Sequence, residues 1–150
     1  MGNICRSPTA EVVFRHLVAA AGLSERILCD SAGTHDYHIG DPPDRRSIAA
    51  ASRRGYDMTS LRARQFAVAD FSRFQFVLAM DRQNFAALKR LQPPSGAENL
   101  QLYGDLHEDY KGQDVPDPYY GGADGFERVL DMVEAVSIRL LETVRADAGC

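Results

Sequence analysis

The chain opens Met1-Gly2-Asn3-Ile4-Cys5-Arg6-Ser7-Pro8, a glycine-bearing turn that runs straight into a helix. Such a turn lets successive backbone N–H groups, here those of Gly2, Asn3, Ile4 and Cys5, converge on one anion, while the helix adds its partly positive N-terminus. Arg6 can grip two phosphate oxygens at once. The segment therefore reads as a phosphate site. Asn3 tolerates a left-handed backbone, and Ser7 reads as the N-cap with Pro8 at the first helical position. No metal constellation competes with it. His35 and His38 have the spacing of a ligand pair but nothing to complete a site, and Asp105, Glu108, Asp109 and Asp114 lack the spacing and glycine of a calcium loop. Neither metal nor other cofactor is expected.

The elements that must hold this loop follow from apolar periodicity. Ala10, Val13, Phe14, Leu17, Val18 and Ala21 share one helical face, stopped by Gly22. Ile27-Leu28-Cys29 reads as a short strand. Asp44 opens a helix ending near Gly55, Phe74 to Met80 is a strand, Asp81 caps a helix to about Arg90, and Leu100 to Tyr103 is a further strand. A last helix spans about Asp124 to Ala146, with Phe126, Val129, Leu130, Val133, Val136, Leu140, Leu141 and Val144 inward. Alternating strands and helices predict an α/β fold, a doubly wound three-layer sandwich around a parallel sheet of about four strands, with ligands beyond the strands' carboxyl ends. A phosphate loop of this kind leaves a strand before it enters a helix. The first strand is accordingly expected to lie before Gly2, absent from this chain, and the sequence reads as truncated at its N-terminus.

Composition narrows the function classes. The 150 residues, 45% of them hydrophobic, suit a single domain spanning residues 1–150. A net charge of -4, without basic blocks, argues against nucleic acid or an anionic membrane as partner. Cys5, Cys29 and Cys150 are too few and too irregular for a disulfide framework, which points to a reducing compartment, the cytoplasm. No signal peptide or membrane span is visible.

The opening also resembles the low-molecular-weight protein tyrosine phosphatases, whose phosphate loop reads Cys-x-Gly-Asn-x-Cys-Arg-Ser-Pro after an apolar strand. Gly2, Asn3, Cys5, Arg6, Ser7 and Pro8 match that pattern, and Met1 falls on the variable x. The resemblance implies a nucleophilic Cys one residue before Met1, so that the chain as written lacks its catalytic atom. Cys5, adjacent to Arg6, matches the family's second Cys and not the nucleophile. It further implies Arg6 as the clamp on the transferring phosphoryl group and Ser7 as the hydroxyl that stabilises the thiolate. Asp117, in Asp114-Val115-Pro116-Asp117-Pro118-Tyr119-Tyr120-Gly121, matches the general acid. Alone, that Asp-Pro is a turn former. Ser31 falls where the family has a supporting hydroxyl, or is a plain turn residue. Tyr37 and Tyr119 stand where aromatic residues wall a cleft suited to a phosphotyrosine ring, or simply pack their loops. Further matches at Gly40-x-Pro42-x-Asp44-x-Arg46, Ala63-Arg64-Gln65 and Met80-Asp81-x-x-Asn84 spread the resemblance over the chain.

The implied function is phosphotyrosine hydrolysis through a cysteinyl-phosphate. Its substrate would be a phosphotyrosine protein or a small aryl phosphate and its product inorganic phosphate, from a monomer or weak dimer. One departure is Leu61, where the family often has a His that pairs with a Glu matching Glu11; here Glu11 is left solvated or paired with Arg62 or Arg64. Read literally, without a nucleophile, the chain is a pseudo-phosphatase that binds phosphate or phosphopeptides. An arsenate reductase on the same fold needs additional redox cysteines, and none lies between Cys29 and Cys150. A protein-arginine phosphatase typically carries Thr where Ile4 stands.

Overall fold

The computed structural model describes residues 2–94, 98–119 and 121–149, so Met1, Tyr120 and Cys150 lie outside the described residues. Helices α1 (Arg6–Ala20), α2 (Arg45–Arg53) and α3 (Asp70–Arg73) precede strand β1 (Val77–Ala79). Helix α4 (Arg82–Leu91) leads to β2 (Leu100–Leu102), two short 3-10 turns, and the long α5 (Ala123–Ala148). β1 and β2 pair in parallel with Val77 opposite Leu100 and Ala79 opposite Leu102, the α4 crossover supplying the connection that parallel strands require.

Side-chain alternation along β1 separates two cores. Val77 and Ala79 pack with Phe71 of α3 and Leu88 of α4. Leu78 faces the other way, toward Phe14 and Val18 of α1 and Leu140 of α5. Helices therefore cover both faces of a parallel sheet, the α/β architecture the sequence predicts. α1 and α5 form the larger core, with Val13, Val129, Val133 and Val136 almost wholly buried.

Caps read from the sequence hold at α2 and α4. The Asp44 carboxylate accepts from the Arg46 N–H at 2.8 Å, and that of Asp81 from the Asn84 N–H at 2.7 Å. Two expectations need correction. Ser7 is not the cap of α1: the helix starts at Arg6, Cys5 occupies the cap position, and no side chain bonds the first-turn N–H groups. The Ser7 hydroxyl is instead taken up by Asn3, whose Nδ2 donates to it at 2.7 Å. Ile27-Leu28-Cys29 forms no ladder, and among the described residues the sheet has two strands plus an isolated parallel bridge between Gly33 and Gln65. The reason is placement. Val77 N–H bonds Asn99 toward β2, so parallel alternation turns the N–H and C=O of Leu78 to the opposite edge. That edge borders a trough that Leu78 lines together with Ile27, Leu28 and Cys29.

Candidate active site

The phosphate loop is fixed by its own side chains. Asn3 takes φ +63°, the only described residue other than glycine with a left-handed backbone, and is buried. Its Nδ2 donates to Ser7 Oγ and, at 2.9 Å, to Ser31 Oγ, while its Oδ1 accepts from the Arg64 N–H at 3.1 Å. Ser31 Oγ in turn donates to Glu11 at 2.5 Å. At Gly2 the chain passes so close to His38 that a Cβ would sit 2.5 Å from the imidazole, which would have to move aside for any larger residue.

This scaffold leaves donors unused. The backbone N–H groups of Gly2, Asn3, Ile4, Cys5, Arg6 and Ser7 have no hydrogen-bond partner among the described residues. A run of N–H groups around a left-handed residue at a helix N-terminus is an anion cradle. Beside it Arg6, only 5% exposed, donates from one terminal nitrogen to Asp81 Oδ2 and to the Val115 carbonyl, both at 2.8 Å. Its Nε and other terminal nitrogen have no partner among the described residues. The Arg6 guanidinium is thus pinned along one edge, with the other edge available for a bidentate contact.

The thiols present are not activated. Burial pushes Cys5 up to about 11, only partly offset by the Ser47 hydroxyl. Burial pushes Cys29 up to about 12. At neutral pH both are protonated thiols and poor nucleophiles. Glu11 is also raised, by burial, despite Ser31 and a 2.6 Å ion pair with Arg15. Arg15 is its partner, where the sequence suggested Arg62 or Arg64. Arg62 bonds the carbonyls of Thr59 and Leu61 instead, and Arg64 is held by Asp30 and Asp70.

A cavity of about 540 Å³ opens over the loop, and Asp117, Tyr37 and Tyr119 reach its lining together with Gly2 to Ser7 and Ser31. All the sequence-predicted site residues thus fall on the lining of this one cavity. Asp117 is exposed, and its Oδ1 accepts from the Tyr119 N–H at 3.0 Å, a tight local turn. Behind it Val115 is fully buried and donates its N–H to the Met80 carbonyl at 2.8 Å. Tyr37 is 74% exposed and stacks on His35 with ring centroids 5.1 Å apart. From the loop the same cavity continues as the trough beside Leu78, walled by apolar groups such as Phe14, Ile27, Leu140 and Val144. Among the described residues no cluster of three His, Cys, Asp or Glu is placed to hold a metal ion, and no helix is long and apolar enough to cross a membrane.

Two supporting residues read from the sequence only as helix caps do more. Asp81 caps α4 and also anchors Arg6; Asp44 caps α2, and its N–H bonds the Ile4 carbonyl of the phosphate loop at 2.8 Å. Their positions just after an apolar strand and a loop were visible, but their second partners lie far away in sequence.

Comparison with known proteins points the same way. The family model described as low molecular weight phosphotyrosine protein phosphatase matches residues 1–149. The chain is 47% identical over 147 residues to a low molecular weight protein-tyrosine-phosphatase of Streptomyces coelicolor, covering 96% of this chain and 89% of that one. It superposes on the crystal structure of a protein tyrosine phosphatase from Entamoeba histolytica with Hepes in the active site, with TM-score 0.90 and 37% identity over 99% of this chain and 94% of the other. YfkJ from Bacillus subtilis gives TM-score 0.91 at 35% identity, covering 98% and 91%.

Proposed function

This chain belongs to the low molecular weight phosphotyrosine protein phosphatases, phosphoric monoester hydrolases that act on phosphotyrosine and release phosphate, and we propose that the reaction runs on the phosphate loop, Arg6 and Asp117. The phosphate seats on the N–H groups of Gly2, Asn3, Ile4, Cys5, Arg6 and Ser7, with the free edge of Arg6 across two of its oxygens. A thiolate attacks phosphorus in line, the P–O bond to the phenol breaks, and Asp117 delivers a proton to the departing oxygen. Asp117, now a carboxylate, takes a proton from the water that hydrolyses the cysteinyl-phosphate. Ser7, already an acceptor from Asn3, has its own O–H free to steady the thiolate. Tyr37 and Tyr119 flank the substrate ring, and Ser31 supports Asn3.

The thiol belongs to the residue before Met1, at the end of an apolar segment lying in the trough and pairing with the Leu78 edge. The apolar walls of the trough, its continuity with the loop, and the unactivated state of Cys5 and Cys29 support this. The domain acts as one unit, in the cytoplasm, as a monomer or weak dimer, on phosphotyrosine proteins or small aryl phosphates.

The observation that carries the reading is the unbroken run of unpartnered N–H groups beside the half-occupied guanidinium of Arg6. Its test is turnover of an aryl phosphate by the 150-residue chain and by the chain extended upstream with an apolar strand ending in Cys. No turnover by the first and restored turnover by the second is expected. An extended protein that folds and binds inorganic phosphate but stays inert would favour a phosphate-binding module.

A further inference from the structure

The acid loop needs an aim as well as an acid, and the residue that supplies it lies on another element. Arg46, in the first turn of α2, reaches across to Tyr119: one of its terminal nitrogens donates to the Tyr119 carbonyl at 3.1 Å. Its guanidinium also lies over two rings, 5.4 Å from the Tyr119 centroid and 4.9 Å from that of Phe126. Tyr119 donates its own N–H to Asp117. It is therefore held by Asp117 through its N–H, and by Arg46 through its carbonyl and its ring.

Arg46 is itself tied to the phosphate loop. Asp44 receives its Nε at 3.1 Å and a terminal nitrogen at 3.0 Å, a two-point grip, and the Asp44 N–H bonds the Ile4 carbonyl. A continuous chain of contacts thus runs from Ile4 through Asp44, Arg46 and Tyr119 to Asp117. Resting on the assignment of Asp117 as the general acid, we propose that Arg46 is a positioning residue that fixes the Asp117 carboxyl relative to the phosphate loop. The pair stays ionised at working pH, since the hydrogen bonds from Arg46 hold Asp44 below the usual carboxylate range. With its side chain 48% exposed, the Arg46 pair with Asp44 contributes little to stability. Its effect belongs in the geometry of proton transfer.

The test uses the chain extended upstream with an apolar strand ending in Cys and a series of aryl phosphates graded by leaving-group pKa, read as kcat/KM. Arg46→Ala should lower the rate roughly 10- to 100-fold for poor leaving groups and no more than about threefold for nitrophenyl phosphate. Arg46→Lys, which keeps the charge without the fork, should fall between. Binding of inorganic phosphate should change less than about twofold, and adding Arg46→Ala to Asp117→Asn should cost little more, because both act on one proton. An Arg46→Ala loss equal for all leaving groups, or one that adds in full to Asp117→Asn, overturns the proposal while leaving the acid assignment standing. If Asp117→Asn alone fails to steepen the leaving-group dependence, the acid assignment falls, and the role of Arg46 with it.

Discussion

The two halves of the site are built differently. On the phosphate side Asn3, Arg6 and Glu11 are each at most 5% exposed: Asn3 holds Ser7 and reaches Glu11 through Ser31, while Arg6 is held separately by Asp81 and Val115. On the side proposed to meet the leaving group, Asp117 and both tyrosines are exposed, and the loop is tied by Val115 to Met80, by its own turn and by Arg46. The difference follows the chemistry. A phosphoryl group has one size and one charge pattern, so donors fixed in a buried, satisfied network need no reorganisation when charge develops. The aryl group behind the phosphate is larger and carries no such fixed charge pattern, and the half proposed to meet it stays at the surface.

The largest expected effect separates the halves directly. In the chain extended upstream with an apolar strand ending in Cys, as for every rate below, Asp117→Asn should reduce kcat/KM on the order of 10²–10⁴ for a high-pKa phenol and far less for nitrophenol, steepening the plot of log rate against leaving-group pKa. A parallel downward shift would remove Asp117 as the acid and turn attention to Asp105, Asp109 and Asp114. Arg6→Lys acts on the other half, since a point charge cannot replace a two-point fork. It should cost roughly 10²–10³ at every leaving group without changing the slope. A slope change with Arg6→Lys would mean that the halves are not separable.

Asp81→Asn probes the anchor of the phosphate side. Asn still accepts from the Asn84 N–H, so α4 keeps its cap, but Arg6 loses a charged partner and keeps only Val115. A fall of about tenfold in kcat/KM, uniform across leaving groups, is expected. Stability reports on it too. Burial pushes the Asp81 carboxyl up, but the Asn84 N–H and Arg6 outweigh it and hold it below 3.8. A carboxyl depressed in the folded state contributes stability above its ordinary value that is lost as pH falls through the depressed one. Denaturant midpoints measured into acid should therefore drop less steeply for Asp81→Asn than for wild type. An unchanged acid limb would show that Asp81 is not coupled to Arg6.

What could be read from the sequence was local. Apolar periodicity found α1, α2, α4 and α5, and Asp44 and Asp81 marked two helix starts, because a cap lies within three residues of what it caps. The phosphate loop was legible for the same reason: its donors are consecutive. Side chains that act across the fold were not. Nothing near Asp81 announces Arg6, and nothing near Arg46 announces Tyr119. Nothing near Asn99 announces that its amide donates to the carbonyls of Phe71 and Phe74. Ser7 was misread because a hydroxyl at a helix start is normally its cap, whereas here the loop claims it. Ile27-Leu28-Cys29 has a strand's composition without a strand's neighbour, and pairing is not a property of one segment.

The smallest effect concerns Glu11. Glu11 is buried, and burial raises its carboxyl above 4.5 although Ser31 donates to it and Arg15 pairs with it. Between 4.5 and the raised value the folded protein holds a proton that the unfolded chain has lost. Stability therefore declines as pH rises through that window, and the cost of burying the charge is complete above it. Glu11→Gln keeps an acceptor for Ser31, gives up an ion pair whose Arg15 side chain is half exposed, and cannot titrate. Urea midpoints taken from below 4.5 upward should thus show wild type losing ground to Glu11→Gln. The opposite trend, wild type gaining on the variant as pH rises, would mean that Arg15 and Ser31 outweigh burial. The Glu11 carboxylate would then stabilise the folded loop network as well as accept its Ser31 hydrogen bond.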